Sequence, residues 1–416
     1  MQNDEHPAFA QANTQPKHRI YSIDLLRGIV MMIMLIDHTR DFVHAGAMQF
    51  DPTDLSKTNV AVFFTRWITH FCAPIFVFLA GTSIFLQKLN GKSHAELSRF
   101  LLTRGLWLVI LELTVVRFGI VFNLDYYASF GMVQVIWAIG VSMIVMAALI
   151  YLPTKIIGAF GVAMIVLHNL FDRFQLPPNI AFAGDPPPDV WQVIGIILHQ
   201  QGVVPIPGTS GAFVAYPLIP WIGVMAAGYA FGTLYGMERE RRRKWLFALG
   251  GAATLLFVAI RLTNIYGDPA IWTMQDTPAF TFLSFLNTNK YPPSLLYLLM
   301  TIGPGLLMLG LTDSIDGKAI WQRIAITFGR VPMFFYILQW FTAHLSAIIL
   351  GLLAGKDISY LYGTPMGMGQ PPPDDAGFPL WVVYAAWFVG LLILYPLCAW
   401  WGRLKQRNKH WALSYL

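Results

Sequence analysis

Charged residues are scarce in this chain, and their scarcity excludes an ordinary soluble globular protein. Asp, Glu, Lys and Arg make up 12% of the 416 residues, whereas soluble domains carry about 25%. Hydrophobic residues make up 56%, and the mean hydropathy is +0.55. This composition is typical of a polytopic membrane protein.

Cysteines and several catalytic motifs are also missing. The two cysteines, Cys72 and Cys398, lie within apolar segments and provide neither a disulfide framework nor a zinc site, so we expect no bound metal. The chain contains no GxxxxGK[ST], HExxH, GxSxG or CxxC. An ATP-driven pump, a zinc protease and an elbow-type serine hydrolase are therefore unsupported.

Long apolar segments predict the fold class: an all-α, polytopic integral membrane protein with about ten transmembrane helices. A span takes about 20 apolar residues, and we expect spans near 21–43, 61–87, 101–122, 130–151, 156–171, 213–235, 245–265, 292–311, 331–353 and 380–401. The apolar patch 190–198 is too short and is predicted to be re-entrant or interfacial. One transmembrane domain, 21–402, thus lies between tails at 1–20 and 403–416.

Lys and Arg are distributed unequally between alternate loops. The loops on the side of the termini hold most of them, including the run 238–244, so the positive-inside rule places both termini in the cytoplasm. The first 19 residues lack an apolar stretch and are not a signal peptide. The net charge of +6 follows this sidedness, and we expect no nucleic-acid partner. The run 238–244 is expected to contact anionic lipid, or alternatively the phosphates of a cytoplasmic cofactor.

The first span carries a polar stripe. Arg27 and His38 are eleven residues apart, which on a helix is nearly the same direction and about 16 Å of rise. Asp24 and Asp41 lie close to the same line. Ionisable groups in a span usually face a protein-lined cavity, although the end residues can also lie at the membrane interfaces.

Histidines are expected to meet at the end of this helix. His38, His44 and His70 can occupy one layer between the first two helices, where Asp37 or Asp41 could orient a histidine for general-base chemistry. The alternative is structural hydrogen bonding. Arg117 and Arg261 are candidate substrate-binding residues in the outer halves of their helices, whereas Glu112 is expected to be structural.

Several stretches resemble the bacterial members of the heparan-alpha-glucosaminide N-acetyltransferase family. The specific ones are SIDLLRGIVMMIMLIDHTRDF (22–42) and TRWITHFCAPIFVFLAGTSIFL (65–86). Weaker similarity is found in QVIWAIGVSMI (134–144), YPLIPWIGVMAAGYAFG (216–232), NKYPPSLLYLLMTIGP (289–304) and FGRVPMFFYIL (328–338). The resemblance implies a multi-pass enzyme of a bacterial inner membrane. Such an enzyme moves an acetyl or other acyl group from cytoplasmic acyl-CoA to a sugar or glycan hydroxyl or amine on the outer side.

The same resemblance implies roles for individual residues. Arg27-x10-His38 is similar to an arginine–histidine element of membrane acyltransferases, with His38 or His44 as the base and Arg27 on the acetyl-CoA arm or the oxyanion. Asp24 and His70 are further donor-site candidates, and transfer can be direct or through an acyl-histidine. Gln339 departs from the family pattern, which has histidine there. Two alternative functions stay open, a solute transporter or flippase and a non-catalytic envelope scaffold. Assembly into a homodimer is left open as well.

Overall fold

The computed structural model describes residues 20–47, 49–127, 131–174, 188–363 and 372–408, together with 410, 413 and 415. The predicted N-terminal tail lies almost wholly outside the described residues, as do parts of the connections at 172–210 and 363–379. Within the described part the chain is mostly helical. The α-helices are α1 Tyr21–Val43, α2 Val60–Thr69, α3 Cys72–Leu89, α4 His94–Leu111, α5 Arg117–Val121, α6 Val135–Leu149, α7 Thr154–Leu167, α8 Val190–Leu198, α9 Leu218–Phe231, α10 Arg239–Thr263, α11 Pro278–Leu286, α12 Leu295–Thr312, α13 Ile320–Arg330, α14 Pro332–Leu353 and α15 Leu380–Arg407.

Among the described residues, seven helical segments are long and apolar enough to cross a membrane. They correspond to seven of the ten predicted spans and are Val60–Leu89, Thr154–Arg173, Leu218–Gly236, Arg239–Thr263, Leu295–Thr312, Pro332–Leu353 and Leu380–Arg407. Of the other three, α1 carries more charge, α6 has 15 residues, and the segment at α4 and α5 is interrupted. The count of ten and the placement of the termini stay predictions.

Two predicted spans are interrupted helices. The second is divided between α2 and α3 at His70 and Phe71. Pro74 lies in the first turn of α3, where the missing N–H costs no helical hydrogen bond. The third changes to a π-helical turn at Glu112–Val116 between α4 and α5. In that turn Glu112 accepts hydrogen bonds from the backbone N–H groups of Gln134 and Trp137 at the start of α6, which is the structural role predicted for it.

A small sheet corrects the all-α prediction. Strands β1 (Gly131–Val133), β2 (Gly202–Val204) and β3 (Ala212–Val214) pair in the order β1-β3-β2, with β1 parallel and β2 antiparallel to β3. The predicted fourth and sixth spans therefore begin too early, because their first residues form strands. Pro217 is the N-cap residue of α9 and separates that helix from β3. The patch Val190–Leu198 forms the nine-residue helix α8, too short to span.

Helix α1 lies at the centre of the bundle. It packs against α2, α3, α12, α13, α14 and α15, and 17 of its 23 residues are buried. Close approach is possible because Gly28 faces the backbone of α13, where an added Cβ would meet the Ala325 carbonyl oxygen at 1.7 Å. By contrast, α7, α10 and α15 are each mostly exposed, with only 22% of the residues in their most apolar 18-residue stretch buried. The charged groups of α1 consequently face protein.

Candidate functional site

An ion cluster of Asp37, Arg40, Asp41, Arg66 and Lys290 lies at the end of α1. Arg66 of α2 donates to Asp37 Oδ2 at 2.5 Å, and Arg40 Nη2 lies 3.0 Å from Asp37 Oδ1. Lys290 Nζ approaches Asp37 Oδ2 to 3.9 Å, and Arg40 also bonds to Asp41. The cluster combines three cations with two carboxylates, and burial makes their pairing obligatory, since an isolated buried charge is costly.

His38 lies beside this cluster with its ring against α14. The ring centroids of His38 and Trp340 are 3.7 Å apart, and both side chains are buried. His38 Nδ1 lies 4.0 Å from Asp41 Oδ2, one helical turn further along α1. This separation exceeds a hydrogen bond, yet Asp41 is on the Nδ1 side of the ring. A proton held at Nδ1 towards Asp41 would leave the Nε2 lone pair for a substrate.

His44 follows the last turn of α1, and its Nδ1 makes a contact different from that of His38 Nδ1. Its Nδ1 accepts a hydrogen bond from the backbone N–H of Gly46 at 3.2 Å. The neutral ring then carries its proton on Nε2. Burial, and secondarily the Arg40 guanidinium, lower the pKa of His44 below its ordinary value. His44 is therefore neutral at pH 7, but its basic nitrogen is already engaged.

His70 occupies the break between α2 and α3. It is buried, its carbonyl accepts a hydrogen bond from the Tyr297 hydroxyl at 2.7 Å, and its ring lies near Arg66, Lys290 and Asp37. His38 has the same three charged neighbours. The structure thus brings Asp37, His38, Asp41 and His70 around the same ion cluster, whereas His44 follows the last turn of α1.

Arg27 and Asp24 lie at the other end of α1. Arg27 Nη2 donates to Ser83 Oγ of α3 at 3.0 Å, and Nη1 donates to the Gly329 carbonyl of α13 at 3.5 Å. Asp24 Oδ1 is 3.7 Å from Arg27 Nη1. Arg27 and His38 thus both contact neighbouring helices of the bundle. Their roles as donor-site arginine and base stay predictions.

Arg117 and Arg261 are separate from this cluster, and both bind backbone carbonyls. Arg117 donates to the carbonyls of Asn123 and Asp125 and stacks over Tyr126. Arg261, which is 1% exposed, donates to four carbonyls, those of Ala270, Ser284, Phe285 and Asn287. These contacts favour a structural role in holding two connections, and their use in substrate binding stays a prediction.

The site also contains two cations, Arg66 and Lys290, and a row of aromatic rings that are not among the site residues predicted from the sequence. Arg66 precedes His70 by four residues, and this spacing, which places both on one helix face, indicates that Arg66 lies near the site. Lys290 lies in the connection after α11, where no such periodicity indicates its position. The Tyr291 ring meets the Tyr216 ring edge to face at a centroid separation of 5.3 Å, and the Tyr216 and Trp221 rings lie tilted against each other at 5.2 Å. Gln339, next to Trp340, is fully buried, and in the described structure neither amide atom has a hydrogen-bond partner.

The fold and site together define a polytopic membrane protein that buries a histidine beside a carboxylate. The family model described as "Heparan-alpha-glucosaminide N-acetyltransferase, catalytic" matches residues 19–266. The match covers more than half of the chain, so the protein belongs to this family, as the resemblance predicted. Both specific stretches lie inside the match, whereas 289–304 and 328–338 lie beyond it. No curated protein matches the chain.

Family membership makes the protein an acyltransferase-type membrane enzyme. Enzymes of this kind use acetyl-CoA as donor. Across the described ranges, no group of three or more His, Cys, Asp or Glu side chains could hold a metal ion.

Proposed function

We propose that the protein transfers an acetyl group from cytoplasmic acetyl-CoA to a hydroxyl or amine of a sugar or glycan on the opposite side of the membrane. The observation that carries this proposal is the position of His38 between Asp41 and Trp340 on a central helix that also presents Arg27. About 16 Å of helix separates the two residues, a distance comparable with the pantetheine arm of CoA. The donor and acceptor can thus approach from opposite ends.

His38 acts as the general base in this proposal. Its Nε2 removes the proton from the acceptor hydroxyl or amine, which attacks the thioester carbonyl carbon. The new C–O or C–N bond forms as the C–S bond breaks, and the CoA thiolate leaves with the proton that His38 gives back. Asp41 stabilises the imidazolium, and Arg66 and Lys290 offset the negative charge on the carbonyl oxygen.

Arg27 and Asp24 hold the donor end of the site. Arg27 is fixed between α3 and α13 by Ser83 and Gly329, and it orients the CoA arm. The asymmetric Lys and Arg content of the loops supports a cytoplasmic location for this end. In this proposal the protein is a multi-pass protein of a bacterial inner membrane, the location that the resemblance to bacterial members of the family implies.

Purified protein incubated with radiolabelled acetyl-CoA and an amino-sugar acceptor tests the proposal. We expect release of free CoA and label on the acceptor, both lost in His38→Ala. Solute uptake into proteoliposomes without consumption of acetyl-CoA would instead identify a transporter. An intact, folded protein with neither activity would contradict the proposal and favour a scaffold.

A further inference from the structure

A cavity of about 360 Å³ opens at the end of the bundle where α1 begins. Its walls come from Tyr21 of α1, from Arg323 and Arg330 of α13, and from Tyr395 and Arg403 of α15. This volume lies within the range of small-molecule sites, about 300–1,000 Å³. The cavity is separate from the ion cluster, which lies at the opposite end of α1.

Three arginines and no carboxylate line this cavity. In the described chain none of the three is within ion-pair distance of Asp or Glu, and the buried Nε of Arg330 has no hydrogen-bond partner there. Arg242, at the same end of the bundle, is different because it makes a bidentate pair with Asp313. Three arginines around one cavity concentrate positive charge that a bound anion would offset, and the planar donor geometry of a guanidinium group fits phosphate.

The cavity adjoins the predicted donor residue. Arg330 directly follows Gly329, whose carbonyl oxygen accepts the hydrogen bond from Arg27. Tyr21 stands in the first turn of the helix that carries Arg27. A ligand with phosphate in this cavity and a flexible arm would therefore extend that arm towards Arg27.

We propose that the cavity lined by Arg323, Arg330 and Arg403 is a phosphate-binding site. Two ligands bring phosphate to this end of the bundle: the nucleotide portion of CoA and the headgroup of an anionic phospholipid. The choice of CoA rests on the proposed function, whereas the phosphate chemistry rests on the three arginines. Tyr21 and Tyr395 offer aromatic faces for an adenine ring.

The double variant Arg323→Gln/Arg403→Gln tests the site. Both side chains are exposed, so the substitutions leave the packed bundle intact. Calorimetric titration of full-length protein in phosphatidylcholine nanodiscs compares CoA with pantetheine, which has the arm without the nucleotide phosphates. We expect CoA binding to weaken at least about tenfold, since charge-assisted hydrogen bonds are lost, and pantetheine binding to stay unchanged.

Arg241→Gln is the matched control, because it removes an exposed arginine of α10 that does not line the cavity. A second arm uses nanodiscs containing phosphatidylglycerol and native mass spectrometry. Loss of bound phosphatidylglycerol from the double variant, with CoA affinity unchanged, would support the phosphate site and assign it to lipid. Unchanged CoA affinity together with unchanged lipid retention would overturn it. Wild-type protein that binds no CoA would contradict the proposed function instead, and the lipid arm would still decide the site.

Discussion

The two candidate bases, His38 and His44, differ in which ring nitrogen is left for a substrate proton. His38 turns Nδ1 towards Asp41, whereas His44 Nδ1 already accepts the Gly46 N–H. We expect His38→Ala to lower the turnover number for acetyl transfer by about 10²–10⁴-fold, the usual contribution of a general base. His44→Ala should lower it by less than about tenfold. Initial rates of CoA release give both values.

Thermal unfolding of the two variants is the control, since either substitution also removes packing around the end of α1. Equal melting temperatures with a large rate difference would assign the base to His38. A larger loss in His44→Ala than in His38→Ala would reverse the assignment.

Asp37 links the cations at the end of α1, and we expect its negative charge to stabilise the fold as well as the site. Asp37→Asn leaves Arg40, Arg66 and Lys290 without the shared carboxylate, and removing one partner of a buried pair costs about 3–5 kcal/mol. We expect a correspondingly large fall in thermal stability in detergent. Asp276→Asn, at an exposed position, is the matched control and should be neutral. Equal stability of both variants would show that the cluster contributes little to folding.

Helical periodicity was sufficient to predict part of this site. The eleven-residue spacing of Arg27 and His38 and the position of His70 after a short loop follow from the geometry of consecutive helices. Lys290 reaches Asp37 through a contact across 253 positions of the sequence, which no local pattern indicates. Trp340 reaches His38 in the same way, from a helix that the sequence showed only as an apolar span.

At the scale of helices, two glycines allow α1 and α13 to touch. A Cβ on Gly28 would meet the Ala325 carbonyl oxygen at 1.7 Å, and one on Gly329 would meet the Asp24 carbonyl oxygen at 1.8 Å. We expect Gly28→Ala to destabilise the protein by about 1–3 kcal/mol, because backbone atoms must move apart. Gly251→Ala on α10 is the control; nothing lies within 4 Å of its added Cβ, so higher helix propensity should stabilise it by about 1 kcal/mol. Thermal unfolding of both variants checks the expected opposite signs.

The elements that sequence reasoning missed are short or depend on distant partners. Each strand of the sheet has three residues, which are too few to show an alternation of polar and apolar residues. Strand β1 also pairs with a segment 81 positions away, which no local pattern indicates. Helix α13 lies between the predicted spans 292–311 and 331–353, and its 11 residues are too few and too polar to predict a span. The long apolar helices were predictable because the bilayer requires about 20 such residues.

At the scale of the whole molecule, the proposed reaction depends on which end of the bundle faces the cytoplasm. Lys57, after α1, and Arg241, in α10, are exposed at opposite ends, and the two native cysteines are buried. We expect a membrane-impermeant maleimide to label Lys57→Cys in intact cells and Arg241→Cys only after permeabilisation. The reverse pattern would place Arg27 and the arginine-lined cavity outside. Since CoA is too charged to cross a bilayer, that orientation would separate the proposed donor site from its substrate.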